Sequence, residues 1–179
     1  MTGRARLTLE ALVAELQRQG CADTDLHLLD GAALELYWAS ARPTKDLDLV
    51  EEALSSDARD ALRGFVLPDP RLYRLDLVSG GLPPLPLGWR RRAVLREEAA
   101  QSTRVWTLCA SDLVASKLRS WRPHDRADIA MLCHQEPALR KGLTELSAAD
   151  YFETDWWEEV MEPRRDRVLS FLDGAIEEL

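Results

Sequence analysis

Residues 26–50 of the chain read LHLLDGAALELYWASARPTKDLDLV and end in two aspartates separated by one leucine. Successive side chains of a β-strand point to opposite faces, so Asp46 and Asp48 share one face while the leucines beside them point into a core. Two neighbouring carboxylates repel each other unless a cation lies between them, and oxygen ligands of this kind suit magnesium. The pattern predicts a strand whose polar face binds a divalent cation.

A turn of small residues, Gly31-Ala32-Ala33, precedes this strand and leads into a predicted helix. Backbone N–H groups in a glycine turn and at a helix N-terminus bind phosphate groups. Asp30 stands directly before the glycine and would repel a phosphate unless a metal or a basic residue intervenes. Alternatively, Asp30 turns away and caps the helix that begins at Ala32. The turn therefore predicts a phosphate site with one unusual neighbour.

A second strand is predicted over residues 71–78, RLYRLDLV, where Arg74 and Asp76 share the face opposite to Leu75 and Leu77. If this strand neighbours the first one in a sheet, Asp76 converges with Asp46 and Asp48. Three convergent aspartates are the usual ligand set of a two-metal phosphoryl-transfer site, whose ions lie roughly 3.5–4 Å apart. The two strands together predict a site for two magnesium ions.

The remaining pattern indicates an α/β core over residues 1–109 and a helical region over residues 110–179. Apolar periodicity predicts further strands over 25–29, 89–97 and 104–108, and helices over 8–19, 32–38, 51–62, 110–121, 125–134 and between 136 and 179. Thr8 and Ser111 are predicted N-caps. The Pro/Gly-rich residues 80–88 form either a connector or a mobile flap.

Composition excludes several classes of protein. The 179 residues, 46% of them hydrophobic, suit one domain, or one domain with a helical appendage. A net charge of −8 argues against a surface that coats nucleic acid, although a local basic pocket stays open. No apolar run approaches the roughly 20 residues that span a bilayer, so we expect no membrane segment.

Cysteine usage indicates a reducing compartment. Cys21, Cys109 and Cys133 are odd in number and widely spaced, and they form neither a CxxC pair nor a disulfide framework. The first residues contain no apolar core typical of a signal peptide. We therefore expect free thiols and a cytoplasmic protein.

The densest basic run of the chain is Arg90-Arg91-Arg92, on the strand predicted over residues 89–97. Charged residues on an edge strand discourage aggregation between sheets, which is one interpretation. The other is a contact for RNA or phosphate. Both interpretations stay open from the sequence.

The segment LLDGAALELYWASARPTKDLDLV resembles the signature of the nucleotidyltransferase fold superfamily, as found in DNA polymerase β-like enzymes. That signature is a glycine turn, a helix, an Asp-x-Asp strand and a later acidic residue on another strand. More narrowly, the chain resembles small bacterial nucleotidyltransferases of the AbiEii/MenT toxin type and the related DUF6036 group. These share a GGxAL…R.T.D.D start and a later dl…K…R…D…L stretch, here Ser111-Asp112-Leu113, Lys117, Arg126 and Asp128 to Leu132.

The resemblance covers roughly residues 25–134 and implies a small mixed sheet flanked by helices, with the helical C-terminal region packed on it. It implies magnesium-dependent transfer of a nucleoside monophosphate from an NTP such as ATP to an acceptor hydroxyl, with release of pyrophosphate. The toxin-type relatives favour the 3′ end of tRNA as acceptor and an antitoxin as protein partner. A small molecule such as an aminoglycoside, or a protein hydroxyl, stays open as acceptor.

The resemblance also implies a role for each matching position. Three aspartates would hold the metals, and the last would help to deprotonate the acceptor: Asp46, Asp48 and Asp76. Five residues would meet the nucleotide: Gly31, Ala32, Arg42, Thr44 and Lys45. Lys117 would balance phosphate charge, and Asp128 would orient Lys117 or the acceptor. The alternative for this last pair is an ordinary surface ion pair, worth only about 0–1 kcal/mol.

One position departs from the family pattern. The family usually has Gly-Gly or Gly-Ser at the phosphate turn, whereas this chain has Asp30-Gly31. The departure motivates a second hypothesis, in which the chain is a binding module that keeps the fold without the reaction. The partner surface of such a module would include Trp156 and Trp157.

Overall fold

The computed structural model describes residues 3–21, 23–40, 42, 44–79, 85, 88–99, 102–145 and 161–173. The chain divides into two compact units, Met1–Leu82 with Ala93–Leu108 and Pro83–Arg92 with Cys109–Leu179. Most of the predicted loop at residues 80–88 lies outside the described residues, as do Trp156 and Trp157.

The first unit contains a five-stranded mixed sheet with the strand order β3-β2-β1-β5-β4. Its strands are β1 (Asp25–Leu29), β2 (Asp46–Val50), β3 (Arg74–Val78), β4 (Val94–Glu98) and β5 (Arg104–Thr107). Strand β2 is antiparallel to β1 and parallel to β3, while β5 is parallel to β1 and antiparallel to β4. This sheet and the helices around it confirm the predicted mixed α/β fold.

The described residues of the first unit form three α-helices: α1 (Arg4–Arg18), α2 (Asp30–Tyr37) and α3 (Ser56–Arg63). In α1 the helical spacing of Leu9, Leu12 and Leu16 places all three in the core, at most 2% exposed. The core also contains the apolar side chains of one sheet face, among them Leu26, Leu28, Leu47, Leu49 and Val105. The sheet therefore buries one face against its own unit, and the other face carries the polar residues of β2 and β3.

The second unit is helical in its described part: α4 (Trp89–Arg92), α5 (Ala110–Ser120), α6 (Pro123–Gln135), α7 (Ala138–Glu145) and α8 (Glu162–Leu172). Its fully buried apolar residues include Leu113, Leu118, Ile129 and Leu132. Helix α5 ends at Ser120, because its C-cap Trp121 has a left-handed φ of 52°, and Pro123 occupies the first turn of α6.

Two predicted N-caps are wrong. Helix α1 begins at Arg4, and Thr8 lies inside it, where its hydroxyl donates to the Arg4 carbonyl at 2.8 Å and accepts from the Tyr73 N–H at 2.9 Å. Helix α5 has Cys109 as its N-cap, so Ser111 is a first-turn residue. In both cases the hydroxyl residue follows the true start by one or more positions.

Three predicted boundaries in the first half of the chain are corrected. Residues 89–92 form a helical turn, so β4 starts only at Val94. The predicted helix at 51–62 is a 3-10 turn, Glu51–Ala53, followed by α3, whose N-cap Ser55 accepts the Ala58 N–H at 3.2 Å. Strand β3 starts at Arg74 instead of residue 71.

Within the described residues, no helix combines the length and the apolar character that crossing a membrane requires. The cysteines Cys21, Cys109 and Cys133 are all free thiols. Burial raises the pKa of the Cys133 thiol to about 11, so this side chain stays protonated and unreactive at neutral pH.

Candidate active site

The pairing of β2 with β3 sets four charged side chains side by side on one sheet face. The register pairs Asp46 with Arg74 and Asp48 with Asp76. Paired residues of parallel strands point to the same face, and so do residues two apart on one strand. We call the resulting two-by-two array the acidic patch; it consists of Asp46, Asp48, Arg74 and Asp76.

The register of the acidic patch is fixed by burial on the opposite face. Leu47 and Leu49 are 0% exposed, and each fully buried leucine contributes about 1.5–3 kcal/mol to stability. A slip of one residue would exchange the two faces, burying Asp46 and Asp48 and exposing the leucines. The alternating sequence of β2 therefore positions its carboxylates, as predicted.

Arg74 bridges two carboxylates of the patch. Its Nη2 donates to Asp76 Oδ2 at 2.7 Å, and its Nε lies 3.1 Å from Asp46 Oδ1. The hydrogen bond with Asp76, followed by the charges of Asp46, Asp76 and Asp48, raises the pKa of Arg74. Taken alone, these four side chains hold two negative charges in excess.

The donor set of the patch fits a hard divalent cation. Its three carboxylates share one face, and the place between Asp46 and Asp76 already attracts a positive charge, the Arg74 guanidinium. When one carboxylate oxygen is taken from each of the three aspartates, the three oxygens do not all lie within 4.8 Å of one another. A metal ion would have to gather these oxygens and replace the guanidinium as their counter-charge.

The glycine turn, which is the first turn of α2, brings three predicted nucleotide-contact residues together. A Cβ atom on Gly31 would lie 2.9 Å from Thr44 Oγ1 and 3.1 Å from Arg42 Nη2. Asp30 has a φ of 47°, a left-handed value that aspartate tolerates better than most residues. Glycine is therefore required at position 31 because the segment before β2 approaches the turn closely.

Asp30 has a basic neighbour within its own unit. Arg42 Nη2 lies 3.9 Å from Asp30 Oδ1, and both side chains are about one-third exposed. Helix α2 begins at Asp30 itself with Leu29 as its N-cap, without a side-chain cap hydrogen bond. The predicted start at Ala32 and the predicted capping by Asp30 are therefore wrong.

The other two predicted nucleotide-contact residues differ in exposure. Ala32 is 0% exposed and belongs to the hydrophobic core, so its side chain does not face a ligand. Lys45 is exposed next to β2, and its carbonyl accepts the Arg74 N–H at 3.0 Å. Only the backbone of Ala32 is left for a contact with phosphate.

Lys117 and Asp128 form a buried ion pair in the second unit. Lys117 Nζ lies 2.8 Å from Asp128 Oδ2 and 3.7 Å from Asp125 Oδ1, and all three side chains are at most 3% exposed. We call these three residues the Lys117 cluster. The surface ion pair considered from the sequence is wrong, because α5 and α6 pack this pair away from water.

Asp125 was missed by the sequence reasoning, although a local signal marks it. It is the third residue of α6, and its carboxylate accepts the backbone N–H of the N-cap residue Arg122 at 2.8 Å. Proline at the first helical position with an acidic residue two positions later is a helix-start pattern. Asp125 therefore caps α6 and faces Lys117 at once.

The basic run lies on α4 and not on a strand. Arg92 donates through Nε and Nη2 to Asp112 at 3.0 and 2.9 Å, and Asp112 is fully buried. Arg92 therefore joins α4 to α5 and is not a solvated strand edge. Arg90 and Arg91 are exposed, and for them the RNA contact stays a prediction.

Comparison with known families adds one finding. The model of a family described as a nucleotidyltransferase of unknown function (DUF6036) matches residues 7–135, well over half of the chain. No curated protein and no solved structure matches the chain significantly. The resemblance to the DUF6036 group is confirmed, whereas that to the toxin-type enzymes stays a prediction. The chain belongs to the DUF6036 family of nucleotidyltransferases.

Proposed function

We propose that this chain transfers a nucleoside monophosphate from an NTP to an acceptor hydroxyl in a magnesium-dependent reaction. One observation carries the proposal: the in-register pairing of Asp48 with Asp76, which sets three carboxylates on one sheet face together with Asp46. Membership of a nucleotidyltransferase family supports a nucleotide as substrate. The fold alone would not support the activity, because one fold can carry many functions and the residues of the site determine which one.

The acidic patch would hold two magnesium ions through Asp46, Asp48 and Asp76. Bound magnesium would lower the pKa of the attacking hydroxyl and neutralise the leaving pyrophosphate. The acceptor oxygen forms a bond to the α-phosphorus while the bond from that phosphorus to the bridging oxygen breaks. Pyrophosphate leaves with the electron pair, and the acceptor proton passes to the Asp76 carboxylate and then to water.

The glycine turn would bind the triphosphate. Because Arg42 Nη2 approaches the Gly31 backbone closely, its guanidinium and the backbone N–H groups of the turn would meet the same phosphate. Arg42 is also the basic residue beside Asp30, which reduces the repulsion between that carboxylate and a phosphate. Exposed Lys45 would add a second positive charge near β2.

Lys117 and Asp128 form the second part of the proposal, which rests on the resemblance. Lys117 would supply a fixed positive charge for the phosphates, and Asp128 would orient it. The 2.8 Å contact between Lys117 Nζ and Asp128 Oδ2 supports the orienting role. Because both side chains are buried, the pair would act from a fixed position.

We propose the 3′ end of tRNA as the acceptor and an antitoxin as a protein partner. The resemblance to the toxin-type enzymes supports both. The exposed Arg90 and Arg91 would contact the RNA backbone. A net charge of −8 requires that such contact be local.

Transfer of label from α-labelled NTPs tests the activity. We expect purified protein with magnesium to label a tRNA pool, and we expect the Asp48→Ala variant to lose at least about a hundredfold in rate, the order that one transition-state contact contributes. The matched control is Asp60→Asn, which removes an exposed carboxylate of the same unit on α3. Equal labelling by the Asp48→Ala protein refutes the assignment, and labelling of an aminoglycoside or a protein would identify another acceptor.

A second candidate function is a binding module without catalysis, and Asp30 at the phosphate turn favours it. This candidate predicts that calorimetry detects neither magnesium nor NTP binding, and that a protein partner binds tightly. Binding of NTP in the presence of magnesium, lost in Gly31→Ala, would exclude it.

A further inference from the structure

We propose that Arg74 is the internal counter-cation of the acidic patch and that a divalent metal has to displace it in order to bind. The inference rests on the proposed function, because it takes the three aspartates as metal ligands. It assigns a role to a residue that lies on the predicted metal-binding face but matches no position of the family pattern.

The geometry places the guanidinium where the metal would go. Arg74 starts from one corner of the two-by-two array and reaches both along its own strand to Asp76 and across to Asp46, at 2.7 and 3.1 Å. Asp76 Oδ2 accepts a hydrogen bond from the guanidinium, and Asp46 Oδ1 lies within ion-pair distance of it. Lone pairs that accept hydrogen bonds from a guanidinium are the same lone pairs that a metal ion needs.

Exposure allows the guanidinium to leave. The Arg74 side chain is 71% exposed, while its partners Asp46 and Asp76 are 34% and 38% exposed. Ion pairs in contact with water are weak and exchange readily with ions from solution. A side chain of this length can rotate outward without disturbing the strand that carries it.

Because Arg74 is positively charged, it competes with the metal ion and does not strengthen metal binding. A supporting residue behind the ligands would orient the carboxylates and strengthen metal binding. Arg74 instead bridges two ligands from within the array, where its unit charge would lie a few ångströms from a divalent ion and repel it. The two roles predict opposite changes in metal affinity when the positive charge is removed.

Titration of the 179-residue chain with Mn²⁺, followed by the electron paramagnetic resonance of the free ion, distinguishes these roles. We expect Arg74→Gln to bind Mn²⁺ about tenfold more tightly than the unsubstituted protein, the order expected for a unit charge near an exposed divalent ion. The matched control is Arg71→Gln, since Arg71 is 86% exposed and pairs with Asp69, outside the patch. Its affinity should not change, and Asp48→Asn should lose binding.

Thermal unfolding gives a second readout that is independent of activity. Without metal, Arg74→Gln should unfold at a lower temperature than the unsubstituted protein, because three carboxylates then lose their counter-cation. Mn²⁺ should raise its unfolding temperature by more than it raises that of the unsubstituted protein or of Arg71→Gln.

The outcomes separate this inference from the proposed function. In one outcome the unsubstituted protein binds Mn²⁺, Asp48→Asn does not, and Arg74→Gln binds it with equal or weaker affinity. The counter-cation role is then overturned, and the metal site stands. If neither the unsubstituted protein nor Arg74→Gln binds Mn²⁺, the metal site and the inference fall together. Binding by Arg74→Gln alone supports the inference most strongly.

Discussion

The acidic patch and the Lys117 cluster each set carboxylates around one cation, and they differ in exposure. The Arg74 side chain is 71% exposed, whereas Lys117 is 3% exposed. Removing a buried cation leaves buried carboxylates without compensation, which is costly, whereas exposed carboxylates can take an ion from water. The patch is therefore suited to exchange its cation, and the cluster is suited to keep it.

The largest expected effect is on activity, at the patch. Asp76→Asn should slow label transfer by at least about a hundredfold, because one ligand and the proton acceptor are lost together. Its free energy of unfolding should change by at most about 0.5 kcal/mol, since the side chain is partly exposed. Label transfer and urea unfolding measure the two quantities. A large loss of stability would show that the patch is structural, like the cluster.

At the cluster we expect the largest effect on stability. Lys117→Met should lower the free energy of unfolding by about 3–5 kcal/mol, because Asp128 and Asp125 would remain buried without their cation. Urea unfolding measures it, and the double variant Lys117→Met with Asp128→Asn should recover part of the loss. A loss below about 1 kcal/mol would mean that the difference in exposure between the patch and the cluster does not change the cost of removing the cation.

A smaller effect is expected from closing the space at the glycine turn. Gly31→Ala should destabilise by about 1–3 kcal/mol, because the added Cβ meets Thr44 Oγ1 at 2.9 Å. The matched control is Gly142→Ala in α7, where nothing lies within 4 Å of the new Cβ. That change should stabilise the helix by about 0.5–1 kcal/mol. If both substitutions changed stability equally, the close contact with Thr44 would not explain why glycine is needed at position 31.

The smallest expected effect is the acid sensitivity of Asp25 on β1. Burial acts to raise the pKa of Asp25, but hydrogen bonds from Trp106 and Arg104 outweigh it and lower the pKa. A lowered pKa contributes stability that is present above the unfolded value, near 3.8, and is lost as pH falls through the folded value. Unfolding temperatures between pH 5 and 2.5 should fall less in Asp25→Asn. Identical slopes would contradict this assignment.

The two strands of the opening segment were predictable to the residue. β1 and the Asp-x-Asp strand β2 have the predicted bounds, and in β2 the alternation of aspartate with buried leucine marks a half-buried strand locally. The shared face of Asp46, Asp48 and Asp76 also followed from period two. It required one further fact that no local pattern contains, namely that β3 is the parallel neighbour of β2.

The rest depended on contacts between distant residues. The face of Arg74 was visible from the sequence, but its bridge to Asp46 depends on the register of two strands. The burial of Lys117 depends on how α5 and α6 pack against each other, and the sequence of neither helix contains that contact. Four residues, Trp89–Arg92, are too few for periodicity to separate a helical turn from a strand.

The most direct test of the central claim is anomalous diffraction from a crystal grown with Mn²⁺ and a non-hydrolysable NTP. We predict anomalous peaks within about 2.5 Å of carboxylate oxygens of Asp46, Asp48 and Asp76, with the Arg74 guanidinium turned away from the patch. Mn²⁺ bound elsewhere, with Arg74 still bridging Asp46 and Asp76 in the presence of the nucleotide, would contradict the account.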